Sequence, residues 1–329
     1  MNICLLGNNL TNLVLANTLL SKKINVDLIT NTSSSVSKDT VRTIAISNEN
    51  YKFLEEHIKG FTNLGWPTKK IKIFSSKKNS EELFEFKNNN KNNFYLVRYI
   101  EFYNLLKKNR LLKFHRIKNY NFQTIKKRKY DLIINSEKNN QIIKKFFPKK
   151  IEKNYKSIAH TAIINHKKTD NQTAIQIFTS NGPLAFLPLS SNKTSIVFSN
   201  NSTESIDKKK LLNVINQYSH KYIINYISKV ESFNISFSFL RNYVFENILS
   251  FGDLIHKVHP LAGQGFNMTI RDIRSLSYII DENVKLGIND GALIAQKFQE
   301  TNKHINFIYG LGIDSINSFF NIDNKLKNK

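Results

Sequence analysis

The sequence predicts an α/β protein interrupted by a mainly antiparallel β segment, and three features predict it. The first 30 residues run strand, turn, helix, strand. From Ser157 to about Ser238 the pattern changes to short alternating strands. At Ile248 a strand leads through a glycine-rich loop back into a helix. The order α/β, antiparallel β, α/β places the middle segment as an insertion into one frame, not as a second domain in series.

The opening rests on the apolar run Ile3 to Leu6, the turn residues Gly7-Asn8-Asn9, and helical spacing at Leu10, Leu13, Val14 and Ala16. A second strand, Asn25 to Ile29, ends in the polar cluster Thr30 to Ser35. Such a βαβ opening leads into a parallel sheet. Glu49 to His57 reads as a helix. So does Tyr99 to Lys108, with Tyr99, Phe102, Tyr103, Leu105 and Leu106 on its inner side. Tyr130 to Asn135 is an apolar strand. The alternating strands are His160 to His166, Thr173 to Phe178, Leu184 to Leu189 and Ser195 to Ser199, with a Gly182-Pro183 turn. A helix falls within Lys208 to Val230, Ile248 to Phe251 is again a strand, and the next helix runs to about Ile280.

The chain has 329 residues and 38.2 kDa, enough for two domains or for one with a large insertion. Its 40% hydrophobic and 22% charged residues exclude a disordered or fibrous class. No stretch approaches the roughly 18 apolar residues of a bilayer span. The start, MNICLLGNNL, lacks the basic region and cleavage site of a signal peptide. Cys4 is the single cysteine, which excludes a disulfide framework and suits a buried strand thiol in a cytoplasmic protein. The net charge of +24 suits an anionic partner. Yet the lysines are spread among asparagines, as in Lys126-Lys127-Arg128-Lys129 and Lys87 to Asn93, and no helix-turn-helix, zinc-finger or RNA-binding pattern accompanies them. Nucleic acid is therefore not an expected partner. Peripheral contact with the inner face of a membrane stays open.

The stretch that carries chemistry is Ser250 to Asn267. A strand ends at Gly252-Asp253, and His256 and the run His259-Pro260-Leu261-Ala262-Gly263-Gln264-Gly265-Phe266-Asn267 follow. An acid at a strand's carboxyl end precedes a loop of small residues that opens a helix. Gly263 and Gly265 admit a flat ligand, and the free N–H groups of the helix start favour negative charge. His256 and His259 have metal-ligand spacing but no third ligand nearby, so no metal site is expected. No catalytic side chain is assigned.

The segment GDLIHKVHPLAGQGFNMTIRDIRSLSYII resembles the second flavin-binding signature of the ubiquinone-biosynthesis hydroxylases, within the aromatic-ring hydroxylase flavoproteins. Arg42-Thr43-Ile44-Ala45-Ile46-Ser47, Leu64-Gly65-Trp66, Gly182 to Leu189 and Lys303 to Phe320 resemble further family segments in the family's order. The resemblance implies a Rossmann-like FAD-binding domain, an inserted, mainly antiparallel β-sheet substrate domain and a C-terminal helical region. The implied boundaries are 1–75, 95–140 and 245–329 for the first, and 76–94 and 141–244 for the second. It also implies an FAD-dependent monooxygenase that hydroxylates a lipid-soluble polyprenylated phenol or quinol ring, with NAD(P)H or another external reductant as electron donor. Asp253 would hold the ribityl hydroxyls of FAD, Pro260 would sit by the ring, and the backbone of Gly263, Gln264, Gly265, Phe266 and Asn267 would face the ring's N1 and C2 oxygen. Arg42 would lie against the cofactor near the pyrophosphate, and Gly7 would belong to the dinucleotide turn.

The chain departs from that pattern at the other end of the cofactor. The family's Gly-x-Gly-x-x-Gly falls on Gly7, Asn9 and Asn12, and the acid expected after the second strand is Thr30. The middle Gly-Ala-Asp-Gly falls on Asn135-Ser136-Glu137-Lys138. Two readings follow: an enzyme that holds FAD more weakly, or a non-catalytic accessory subunit beside other ubiquinone-biosynthesis proteins.

Overall fold

The computed structural model describes residues 1–30, 37, 39–75, 82–87, 92–117, 120–138, 140–218, 221–260 and 263–326. The polar cluster beyond Thr30, and Leu261 and Ala262 of the glycine-rich run, lie outside them. The elements that position the site are β1 (Ile3–Leu6), α1 (Leu10–Ser21), β2 (Val26–Thr30), β3 (Thr43–Ser47), β4 (Leu132–Asn135), β5 (Lys150–His166), β6 (Ile248–Ser250), α2 (Gln264–Lys285) and α3 (Gly291–Leu326).

Six strands form the first sheet in the order Val244–Phe245, β6, β4, β1, β2, Lys113–Arg116. Every pairing is parallel except the edge hairpin of Val244–Phe245 with β6. Ile3 lies opposite both Val26 and Leu132. Central strands of a parallel sheet are covered on both faces, so β1 and β4 are apolar almost throughout and wholly buried. Burial likewise pushes the Cys4 thiol far up from its usual range. α1 is buried all round, and its interior Asn17 is satisfied by the carbonyls of Leu13 (2.8 Å) and Leu106 (3.3 Å). The strand Lys113–Arg116 is not anticipated by the sequence. It is short, polar and mostly exposed, and only its register beside β2 makes it a strand.

The second sheet has nine strands. Its path runs His256–Lys257, Glu231–Leu240, β5, Lys193–Asn200, Gly182–Ser190, Thr173–Thr179, Lys70–Ser75, Glu82–Lys87, and Ile224–Ile227 also pairs with β5. Pairing is antiparallel except between Thr173–Thr179 and Lys70–Ser75. Lys70–Ser75 and His256–Lys257, which the sequence gives to the first unit, hydrogen-bond into this sheet instead. Lys70–Ser75 lies between Thr173–Thr179 and Glu82–Lys87, and pairing with a strand distant in sequence is not encoded in local pattern. The helix Lys208–Tyr218 buries Leu211 and Ile215 against Ala162, Ile164, Leu184 and Phe186.

A third, three-stranded antiparallel sheet sets Phe94–Arg98 between β3 and Trp66–Thr68. The Trp66 indole N–H donates to the Asn171 carbonyl at 2.6 Å and fastens this sheet to the large one. At the C-terminal end, α3 runs for 36 residues and extends the expected helix in both directions. No helix among the described residues is long and apolar enough to cross a membrane.

Candidate functional site

The carboxyl ends of β1, β4 and β6 open side by side, the position at which parallel α/β sheets hold ligands. Gly7 follows β1 with φ +108°, Ser136 to Lys138 follow β4, and Gly252-Asp253 follow β6. A Cβ on Gly252, itself at φ +64°, would lie 2.8 Å from Thr11 Cγ2. This glycine therefore lets the Asp253 turn close onto the start of α1. Asp253 is more than half exposed and pairs with Lys138 Nζ at 3.0 Å. Against the desolvation caused by the chain packed around it, Lys138, with His256 and Arg42, holds its carboxyl below the usual carboxylate range. Asp253 is thus an anion at neutral pH.

α2 begins beside this turn. Its preceding residue, Gly263, is in the left-handed region at φ +66°, and no side chain caps the helix. The first-turn N–H groups of a 22-residue helix are thereby left for a ligand, with the positive end of the dipole behind them. A Cβ on Gly263 would meet Ala45 Cβ at 2.9 Å and the Ala45 backbone N at 3.3 Å, so the loop lies directly on β3.

Asn267 explains how that contact is held. Its side-chain oxygen accepts from the Ser47 amide (2.9 Å) and Asn50 Nδ2 (3.0 Å), and its nitrogen donates to the carbonyls of Ala45 (2.8 Å) and Gly263 (3.1 Å). The carboxamide is fully engaged in joining α2 to β3, and the Asn267 carbonyl also accepts from Asn50 Nδ2 at 3.1 Å. Phe266 similarly turns its ring toward the core, edge-on to Phe102 at 6.5 Å. Gln264 is exposed at the helix start, and Pro260 is half-buried. Arg42 is exposed, with its guanidinium 5.4 Å from the Tyr99 ring and 5.8 Å from the Phe233 ring.

The dinucleotide turn is built differently. Asn9 caps α1: its side-chain oxygen accepts from the Asn12 amide at 3.1 Å, the donor a phosphate oxygen would otherwise take. Asn9 Nδ2 crosses to Ser136 Oγ at 2.8 Å and to the Ser136 carbonyl at 3.2 Å. The fully buried Asn12 donates to the carbonyls of Leu6 and Gly7, both at 2.8 Å. Glu137, at the place of the middle motif's carboxylate, receives the Tyr120 hydroxyl.

Two histidines missed as functional parts lie beneath the loop. His256 Nε2 donates to Asp272 Oδ2 at 2.6 Å, and both side chains are at most 1% exposed. Asn306 of α3 donates to the same carboxylate at 3.0 and 3.2 Å, and Arg271 donates to Asn306 at 2.8 Å. This relay fixes the Asp253-to-Pro260 loop to both C-terminal helices. The spacing of His256 and Asp272, 16 residues apart across a loop, gives no sequence signal for it.

His259 is buried edge-on to Tyr155, and burial pushes its pKa down to about 4 against a weaker opposing pull from Asp314. In an unfolded chain the imidazole titrates near 6.5, so between about 4 and 6.5 the unfolded state binds the extra proton. Stability attributable to His259 is therefore complete above pH 6.5 and falls by about 3 kcal/mol as the pH drops to 4. His259→Gln should flatten the dependence of unfolding free energy on pH across that window. An unchanged slope in urea titrations from pH 4 to 7 would sink the assignment.

Two cavities lie elsewhere on the chain. One of about 490 Å³, lined by Asn2, Asp27, Lys113, Arg128 and Tyr130, opens at the amino ends of the parallel strands. Another of about 160 Å³ lies between Val41, Arg98 and the large sheet at Ile163, Asn165 and Lys193.

Comparison with known proteins agrees with the geometry. An FAD binding domain model matches residues 185–285. A mitochondrial ubiquinone biosynthesis monooxygenase, COQ6, of Dictyostelium discoideum is 27% identical over 186 residues, covering 45% of this chain and 38% of that protein. The ubiquinone hydroxylase UbiL of Rhodospirillum rubrum is 26% identical over 149 residues, 42% of this chain and 34% of that one. The aligned segments thus span less than half the length of these relatives. Among solved structures, the probable FAD-dependent monooxygenase pqsL of Pseudomonas aeruginosa superposes with a TM-score of 0.75 at 12% identity, covering 99% of this chain and 97% of that one. By fold this chain is built like that monooxygenase, and over part of its length its sequence is similar to ubiquinone biosynthesis monooxygenases.

Proposed function

We propose that this chain is an FAD-dependent monooxygenase that hydroxylates the aromatic ring of a polyprenylated phenol or quinol in ubiquinone biosynthesis. The observation that carries this reading is the uncapped, glycine-led start of α2 lying beside the Asp253 carboxylate. The flavin ring and ribityl chain fit those residues. Asp253 accepts hydrogen bonds from ribityl hydroxyls, Pro260 borders the ring, and the amides of Gly263 to Asn267 face the edge where negative charge develops. Gly7 and Arg42 border the phosphate end. When bound, the cofactor supplies electron transfer from an external donor such as NAD(P)H and oxygen transfer to the substrate ring.

The protein's own part is positioning and electrostatics. The positive end of the α2 dipole stabilises an anionic ring, and Gly263 lets the loop lie against Ala45 of β3. The large sheet, with its additions Lys70–Ser75 and His256–Lys257, is the substrate-facing unit; the rest is the cofactor unit. A lipid-soluble substrate and a chain carrying +24 net charge support a cytoplasmic protein that works at the membrane's inner face. The accessory-subunit reading has no counterpart among these relatives, which are named as monooxygenases or hydroxylases.

The visible spectrum of freshly purified full chain tests the proposal, with flavin bands as the expected result. A colourless protein that takes up no FAD at high concentration would overturn it. Rescue of a hydroxylase-deficient quinone-synthesis strain by this chain alone separates catalyst from accessory. Asp253→Asn should weaken flavin binding about 10- to 100-fold through loss of charged hydrogen bonds. Equal affinity in a fluorescence titration would remove Asp253 from the site.

A further inference from the structure

We propose that this chain recognises the flavin ring and ribityl phosphate alone, so that FMN and FAD bind with similar affinity and the adenosine half adds little. The inference rests on the flavoprotein reading and deepens it. It comes from the contrast between two helix starts that face one crevice.

At α2 the first-turn donors have no side-chain cap and the leading residue is glycine. At α1 a side-chain cap already occupies the first turn. The Asn12 amide is taken by Asn9 Oδ1 at 3.1 Å, and Asn9 Nδ2 ties that cap to Ser136 Oγ at 2.8 Å. The Gly7 amide is also engaged, donating to the Ile29 carbonyl at 2.9 Å. A pyrophosphate approaching α1 would have to displace the Asn9 side chain from both Asn12 and Ser136, losing bonds of 3.1 and 2.8 Å. A cap that mimics the anion's oxygen removes the reason for the anion to bind there.

Among the described residues, the position at the end of β2 offers no carboxylate to an adenosine ribose. Thr30 stands at the end of β2, where a carboxylate would receive ribose hydroxyls, and its neutral side chain is buried. Glu137 is held by Tyr120. The ribityl phosphate, by contrast, has a cation in reach of the crevice: Arg42 lies against Tyr99, contributes to the field at Asp253, and forms no ion pair among the described residues.

The test is a titration of the full chain, freed of flavin by dialysis against a chaotropic salt, with FAD, FMN and riboflavin, followed by flavin fluorescence. FAD and FMN are expected within tenfold of each other, and riboflavin at least tenfold weaker than FMN. Arg42→Gln should raise the Kd of FMN and FAD and leave that of riboflavin unchanged. A preference for FAD over FMN of tenfold or more overturns the inference while the flavoprotein reading stands. An equal loss of riboflavin affinity in the Arg42 variant overturns the phosphate assignment. If none of the three flavins binds, the flavoprotein reading itself fails and the inference falls with it.

Discussion

Replacing His256 with Leu should lower the unfolding free energy by about 3–5 kcal/mol, because it leaves a buried carboxylate without its partner. Asp272 has no measurable exposure, and apart from His256 its hydrogen bonds come from the Asn306 amide. An amide does not offset the charge that burial makes costly. The double replacement His256→Leu and Asp272→Leu provides the control. Removing both members of a buried pair is close to neutral where removing one is not, so the double variant should recover most of the loss. Urea unfolding of the four proteins of that cycle reads both quantities. Additive losses would show that the two groups act independently, contrary to the 2.6 Å contact. The relay also anchors the Asp253 loop, so the single variant should weaken flavin binding even where the protein remains folded.

The second large effect is expected at Gly263. Valine there would be a β-branched residue at φ +66° with its Cβ 2.9 Å from Ala45 Cβ and 3.3 Å from the Ala45 backbone. The strain is of order 1–3 kcal/mol, and it separates α2 from β3 where the ring is proposed to lie. Loss of stability of that size, with flavin uptake reduced at least about tenfold for each 1.4 kcal/mol of lost binding, is the expected result. Gly265 is the matched comparison. A Cβ there meets only Val258 Cγ2 at 3.7 Å, an ordinary contact, and alanine is favoured over glycine inside a helix by roughly 1 kcal/mol. Gly265→Ala should therefore fold at least as stably as the parent. Equal tolerance at both positions in thermal melts would contradict the proposed geometry.

These two positions show what was legible beforehand. Gly263 stands out in the sequence because small residues between a strand and a helix have few other uses. His256 was visible only as a histidine near another histidine. Its partner comes from a helix packed against the loop, and the third member, Asn306, from a different helix again. Asn267 was legible as part of a motif, but its work of joining α2 to β3 was not, since Ser47 and Asn50 lie 220 and 217 residues away. The pairing of Lys70–Ser75 and His256–Lys257 into the large sheet was not legible for a related reason. Their partners, Thr173–Thr179 and Glu231–Leu240, lie elsewhere in the chain, and local pattern does not name the neighbour a strand finds.

The sequence by itself determined the α/β frame, the inserted antiparallel sheet and the segment Gly252 to Asn267 as the place where chemistry collects. Periodicity and backbone-permissive residues act over a few positions, so one dimension suffices to read them. Only the tertiary structure decided which helix start is open and which is closed. In one dimension Asn9 and Asn12 are merely two missing glycines. In three, they carry hydrogen bonds to Leu6, Gly7 and Ser136 that satisfy the turn from within. Whether a helix terminus binds an anion depends on what already meets its free N–H groups, and those partners come from anywhere in the chain.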